Sequence, residues 1–286
     1  MTVNSTTTSK AVDITVPIES SAGYVAGLVN SNASTLGVEA SAITRVKFPP
    51  PKRDGTISFT LKSKPGVNNS ASISASVLTT NLTNLANTIN NFSGRTGVTA
   101  NLSSDKKHLI LENMDGDDIE ITSFTGPDSL TKDTTALGGA ASDTINYTAH
   151  GFNTGDKVIY TAGANALTNL TSGSTYYAIK VDNNNFKLAS SLSNASGGTA
   201  ITVGGAGGSS TDKFTNPFTI EVLKNDYLSF STPISIDIDG NSFAAARFSG
   251  ELQIESSSAI STSNDGGSTT VTASQNSFKD GFYEIS

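Results

Sequence analysis

Apolar and polar residues alternate with a period of two through most of the chain. Thr56-Ile-Ser-Phe-Thr-Leu, Asp118-Ile-Glu-Ile and Ile234-Ser-Ile-Asp-Ile-Asp each carry an apolar residue at every second position. That is the pattern of a strand with one buried face. His108-Leu-Ile-Leu is a shorter apolar run. Tyr176-Tyr-Ala-Ile-Lys-Val and Asn185-Phe-Lys-Leu flank Asp182-Asn-Asn, which predicts a hairpin. The run from Phe243 to Ile254 predicts a further strand, with Leu252 and Ile254 on one face. The first dozen residues and Ser256 to Ser268 lack such patterning and read as loose.

A helical period appears in two places only. Ala22, Val25, Ala26 and Val29 stand at i, i+3, i+4 and i+7, and so do Leu82, Leu85, Ala86 and Ile89. Each set is one apolar stripe on a short helix. Ser20 or Ser21, and Thr79 or Thr80, are the expected caps. The two stretches are copies at an offset of 60 residues: Val25 matches Leu85, Ala26 matches Ala86, and Asn30 matches Asn90. Gly37-Val-Glu-Ala and Gly97-Val-Thr-Ala then open a strand in each. Two turns of helix do not stand alone in water, so each copy must lie across a sheet. The expected fold is mainly β, with two short helices in α+β modules, antiparallel sheets and an inserted small all-β domain.

Composition sharpens this. The chain has 286 residues and no Cys or Trp. No disulfide, zinc–thiolate site or cysteine nucleophile can form. More than a third of the residues are Ser, Thr or Asn, and only 15% are charged, which favours strands and turns over long helices. A net charge of -7 weighs against nucleic acid or anionic membrane as partners. No apolar run approaches the roughly 20 residues of a membrane helix, so no membrane insertion is expected. The amino terminus shows no apolar signal core.

Leu85-Ala-x-x-Ile-Asn90, then Gly97-Val-Thr-Ala, then Leu109-x-Leu and the Gly116-x-x-Ile119 that follows carry a resemblance. They resemble the "IN" motif of flagellar filament and hook-associated proteins, also present in structural proteins of tailed bacteriophages. The second copy matches best, from about 75 to 124. The first departs from the motif at Val29 and Glu39. Together the copies span about 12–124. The resemblance implies surface-exposed filament decorations without catalytic residues. Flagellins are similar at both ends, with long heptad helices. Neither end of this sequence shows a sustained heptad, which favours the phage setting.

A second resemblance covers about 142–203. Tyr147-Thr-Ala-His-Gly-Phe-Asn-Thr-Gly-Asp-Lys-Val-Ile-Tyr160 and the strands after it resemble a small all-β module of phage and bacterial structural and fibre proteins. Leu137-Gly-Gly-Ala-Ala and Gly204-Gly-Ala-Gly-Gly-Ser-Ser flank it as linkers. The expected organisation is an arm over 1–11, a first module over 12–63 and a second over 64–137. The insert then covers 138–213, and 214–286 completes the host.

Candidate chemistry is sparse. His150, with Asp156 near it in sequence, could serve as a base, but the His-Gly-Phe of the resembling module is a turn element. His108 reads as a solvent-facing strand residue. Asp115-Gly-Asp-Asp118 and Asp237-Ile-Asp-Gly-Asn241 could offer carboxylates to calcium, yet neither follows the spacing of a calcium loop; both fit β-turns. Gly204-Gly-Ala-Gly-Gly lacks the Lys of a phosphate loop. Pro49-Pro-Pro-Lys-Arg reads as a stiff connector rather than a polyproline ligand. Asn81-Leu-Thr and Asn169-Leu-Thr are glycosylation triplets of a kind such a composition produces by chance. No catalytic, cofactor or metal residue is therefore assigned. The expectation is a non-enzymatic structural protein of a tailed-phage virion, in tail, fibre or capsid decoration. Its partners would be its own copies and neighbouring structural proteins. The alternative is the outer part of a flagellin-like extracellular filament; a weaker one is a glycan-binding adhesin.

Overall fold

A computed structural model describes residues 2–5, 10–63, 69–134, 143–203, 209–222, 234–236, 246–256, 260–264, 267–272 and 278–279. The Gly-rich linker 137–141, the Gly-rich run 204–208 and the Asp237–Asn241 turn lie outside the described residues. Strands β1 (Thr2–Ser5) and β2 (Lys10–Asp13) open the chain. Helix α1 (Ala22–Asn30), the single turn α2 (Ala33–Leu36) and strand β3 (Val38–Phe48) follow. The hairpin β4 (Gly55–Lys62) and β5 (Ser70–Val77) leads to α3 (Thr83–Asn90), α4 (Ser93–Thr96), β6 (Thr99–Leu102) and β7 (Leu109–Asn113). After β8 (Ile119–Thr125) come β9 (Ser129–Lys132), β10 (Ile145–Asn146), β11 (Lys157–Thr161), β12 (Thr175–Lys180) and β13 (Asn185–Ala189). Helix α5 (Leu192–Ser196) and β14 (Asp212–Thr215) come next. The last strands are β15 (Phe218–Val222), β16 (Ile234–Ile236), β17 (Ala246–Phe248), β18 (Glu251–Ser256), β19 (Ile260–Asn264), β20 (Gly267–Thr272) and β21 (Phe278–Lys279). The fold is mainly β, and all strand pairs among the described residues are antiparallel.

The repeat is visible as geometry. In each copy a helix is followed by a four-residue turn of helix and a left-handed glycine, Gly37 (φ 67°) and Gly97 (φ 78°). In each, the helix-terminal Asn brackets the backbone ten residues on. Asn30 Nδ2 donates to Ala40 O at 2.7 Å, and Ala40 N–H donates to Asn30 Oδ1 at 2.7 Å. Asn90 and Ala100 repeat this at 3.0 and 2.8 Å. One amide thus supplies both a donor and an acceptor, locking helix to strand. Ser21 caps α1 through Tyr24 N–H at 3.2 Å. The second cap differs from expectation: neither Thr79 nor Thr80 fills it, and Asn81 Oδ1 accepts the Thr83 N–H at 2.9 Å.

Two sheets carry the host core. β3 pairs with β18 over Val38–Ile43 and with β7 over Thr44–Phe48, and β15 joins it at Val46 and Lys47. The other sheet runs β17–β8–β4–β5. Ile57, Phe59, Leu61, Ile73, Ile121 and Phe124 meet Val46, Phe48, Leu111 and Phe218 between the sheets, with Leu85 and Ile89 of α3 in the same cluster. The first helix packs separately, with Val29, Leu36, Val38 and Ile254.

The observed units cut the chain elsewhere than the sequence reading places them. A boundary at 63/64 would divide the β4–β5 hairpin, whose eight residue pairs run from Gly55↔Val77 to Lys62↔Ser70. β4 buries its apolar face against both copies: Phe48 of β3 lies 5.9 Å from Phe59, and Leu85 and Ile89 of α3 share the same cluster. The insert begins before 138: β9 pairs with β14, and β14 with β11, in a sheet ordered β10–β13–β12–β11–β14–β9. Its own core includes Leu130, Phe152, Tyr160, Phe186, Leu188 and Phe214. Glycine-rich composition marked the linkers, but backbone pairing sets the edge of the unit. The amino-terminal stretch read as an arm also holds strands, since β1 pairs with β2 and β19. β19 pairs in turn with β20, within the segment read as loose.

Asn216 N–H donates to Asp128 O at 3.0 Å, so the insert enters and leaves through one narrow neck. Replacing 129–215 by two glycines should leave the host folded. The segment 128–216 should fold by itself, because its core is its own. Circular dichroism melts of the two pieces check this: each should give a cooperative transition.

Candidate functional site

Among the described residues, no three His, Asp or Glu side chains gather as a metal site. His150 is fully buried. Its Nδ1 accepts the Phe152 N–H at 3.0 Å, so Nε2 carries the proton and donates to Asp182 O at 2.8 Å. The ring lies between Phe152 and Phe186, at 5.6 and 5.1 Å. Both nitrogens are spent on backbone groups, Nε2 on the Asp182 carbonyl and Nδ1 on the Phe152 N–H. Asp156 binds Asn153 N–H and Lys52 Nζ instead, at 2.8 and 3.2 Å. His108 is half-buried, 3.8 Å from Asp105.

Asp115-Gly-Asp-Asp118 is a turn organised from within the fold. Buried Asn113 accepts the Asp115 and Asp117 N–H groups on Oδ1, at 2.9 and 3.1 Å. Asp117 takes the Ser21 hydroxyl at 3.2 Å, and Asp118 takes Arg247 Nε at 2.5 Å. Burial pushes the Asp118 carboxyl upward, against the pull of Arg247. The side chains of Asn81 and Asn169 are engaged too; Asn169 Nδ2 donates to Thr202 O at 2.9 Å.

The joint between host and insert is built on Pro49-Pro-Pro-Lys-Arg. Three prolines hold the backbone extended after β3. Asp128, almost fully buried, then receives the Lys52 and Arg53 N–H groups on its carboxylate at 2.9–3.0 Å. Arg53 lies 5.2 Å over the Tyr147 ring and also donates to Pro127 O. Lys52 reaches Asp156 of the insert. The segment read as a connector between repeats is therefore also the clasp on the insert. Beside it opens a cleft of about 440 Å³ walled by Pro49, Pro50 and Phe218, with Lys47, Lys52 and Lys157 on its lining.

Burial raises the Asp128 carboxyl to about 6, opposed by the two backbone N–H bonds. The folded chain therefore holds this proton more tightly than the unfolded chain, whose value is near 3.8. Its stabilising contribution is full below that value and fades as pH rises through about 6. At neutral pH the buried charge costs on the order of 2–3 kcal/mol. Asp128→Asn keeps an acceptor for both N–H groups and removes the charge. Its melting temperature should exceed wild type at pH 7.5, and the gap should shrink below pH 6 and close near pH 3.5; thermal melts at both ends decide it.

Sequence reasoning missed Asp128 because its partners lie 75 and 76 residues away. The only local signal is the turn composition of Gly126-Pro-Asp-Ser. Arg247 was missed likewise, being 129 residues from Asp118. No protein-family model matches the chain, and no curated protein matches it significantly.

Proposed function

We propose that the chain is a non-enzymatic structural component of a tailed-bacteriophage virion, in its tail, fibre or capsid decoration. It acts through contacts with its own copies and with neighbouring structural proteins. The observation that carries this reading is the duplicated unit: helix, left-handed glycine, and an Asn that brackets a strand ten residues on. That geometry gives physical content to the resemblance seen in Leu85-Ala-x-x-Ile-Asn90. Duplication of a small rigid module, with a second module clasped into a loop, suits a particle that needs many stable contact surfaces. The His-Gly-Phe insert favours a phage setting over a flagellar one. The duplicated unit suits the second reading as well, the outer part of a flagellin-like filament.

Gold-labelled antibody against this chain, applied to a host culture carrying both flagella and phage, separates the two. Gold on particles is expected and would show the position. Gold along filaments would sink the virion reading and establish the second.

A further inference from the structure

The host presents two complementary features. At one corner the turn Pro17–Ser20 holds Ile18 out in solvent, 81% exposed. Ser20 N–H and Oγ both donate to Pro17 O, at 3.3 and 2.7 Å. Glu19 has a φ of 64°, a costly value for Glu, and Arg247 Nη2 holds its carbonyl at 2.9 Å. The apolar residue is thus displayed on a fixed turn rather than a mobile tip. Met114 and Tyr24 are 67% and 51% exposed. Both belong to elements tied to this corner through Gly23 N–H to Gly116 O and Ser21 to Asp117. Glu19, whose carboxylate lies 3.8 Å from Arg247, and exposed Asp115 supply the rim, which stays acidic because Arg247 is shared with buried Asp118.

The cleft beside the Pro49–Arg53 clasp has the opposite character: its walls are apolar, Lys52 is balanced by Asp156, Asp128 is buried, and Lys47 and Lys157 add further positive charge to the lining. Its 440 Å³ exceed the volume of an isoleucine side chain several-fold. The two features cannot meet within one copy. β8 starts beside the acidic corner at Ile119 and ends at Thr125, next to the cleft-lining Asp128, a span of about 20 Å at ~3.3 Å per residue.

We propose that the Ile18 turn of one copy seats in the proline-walled cleft of the next, with Glu19 and Asp115 against Lys47 and Lys157. The contact is heterologous, so it propagates into a ring or a filament instead of closing as a dimer. It rests on the reading of the chain as an assembly protein and names that protein's self-contact.

Sedimentation velocity of the full chain over a wide concentration range tests it. Wild type is expected to form an open-ended series of oligomers. Ile18→Asp and Lys157→Glu should each weaken association by roughly tenfold or more. Both side chains are exposed, so the melts should match wild type. Glu19→Lys combined with Lys157→Glu should recover association. A mixture of the Ile18→Asp and Lys157→Glu chains is the sharpest probe: one keeps the cleft, the other the turn. They should pair and stop at the dimer. A monomeric wild type, variants that assemble like wild type, or a mixture that does not pair would each overturn the contact. Gold on virions with a monomeric chain would sink the contact alone. Association through these residues with gold on filaments would sink only the virion reading.

Discussion

Phe48→Ala should destabilise the host by about 3–5 kcal/mol and leave the insert intact. Phe48 is fully buried. Its ring centroid lies 4.6 Å from Phe218, 5.9 Å from Phe59 and 6.0 Å from Phe124. Phe48 and Phe218 come from one sheet and Phe59 and Phe124 from the other, so the four rings join the layers. Removing the central ring loses its transfer free energy and leaves a cavity whose lining cannot collapse, because three rigid rings frame it. A domain of ordinary stability keeps only about 5–15 kcal/mol in all, so this one truncation removes much of it. The insert has a separate core and should retain its own transition. Urea unfolding followed by tyrosine fluorescence and by far-UV dichroism should separate the two. The fluorescence reports mainly on the insert, which holds Tyr147, Tyr160, Tyr176 and Tyr177 of the seven tyrosines in the chain. Coincident loss of both transitions would mean that the clasp couples them fully.

Gly116→Ala should cost about 3 kcal/mol or more, and the reason is backbone proximity rather than burial. Gly116 holds a φ of 71°, and a β-carbon there would sit 2.3 Å from Ala42 Cβ and 3.0 Å from Gly23 N. Neither obstacle is the end of a flexible side chain. Ala42 lies in β3, and Gly23 N–H donates to Gly116 O at 2.9 Å. The turn cannot retreat, since Asn113 holds it from within and donates to Ser63 at 2.8 Å. The left-handed backbone adds about 1 kcal/mol for any L-residue. Gly37→Ala is the control, with a similar φ of 67° and open space where its β-carbon would stand. It should cost only that conformational part. Melting temperatures of the two variants read the difference directly; equal losses would disprove the clash.

The Ile18 turn belongs to the same corner, so Gly116→Ala should also disturb its display.

The amino-acid sequence by itself determined what depends on near neighbours. The stripes Ala22–Val29 and Leu82–Ile89, a cap at Ser20 or Ser21, the Asp182–Asn184 turn and the alternating strands were legible because period, capping and turn chemistry act over a few residues. The repeat was legible for the same reason, as two copies of one local pattern. β19 and β20 escaped notice, because their sequences, mostly Ser, Thr, Asn and Gly, lack the alternating apolar pattern that marks a strand. Only the tertiary structure decided where the units end and which polar groups are spent. The neck at Asp128 and Asn216, the clasp at Lys52 and Arg53, and the Arg247–Asp118 pair join residues 75 to 129 positions apart. The free energy of such contacts comes from excluding water between surfaces that meet only once the chain has folded, and no spacing along the sequence encodes it.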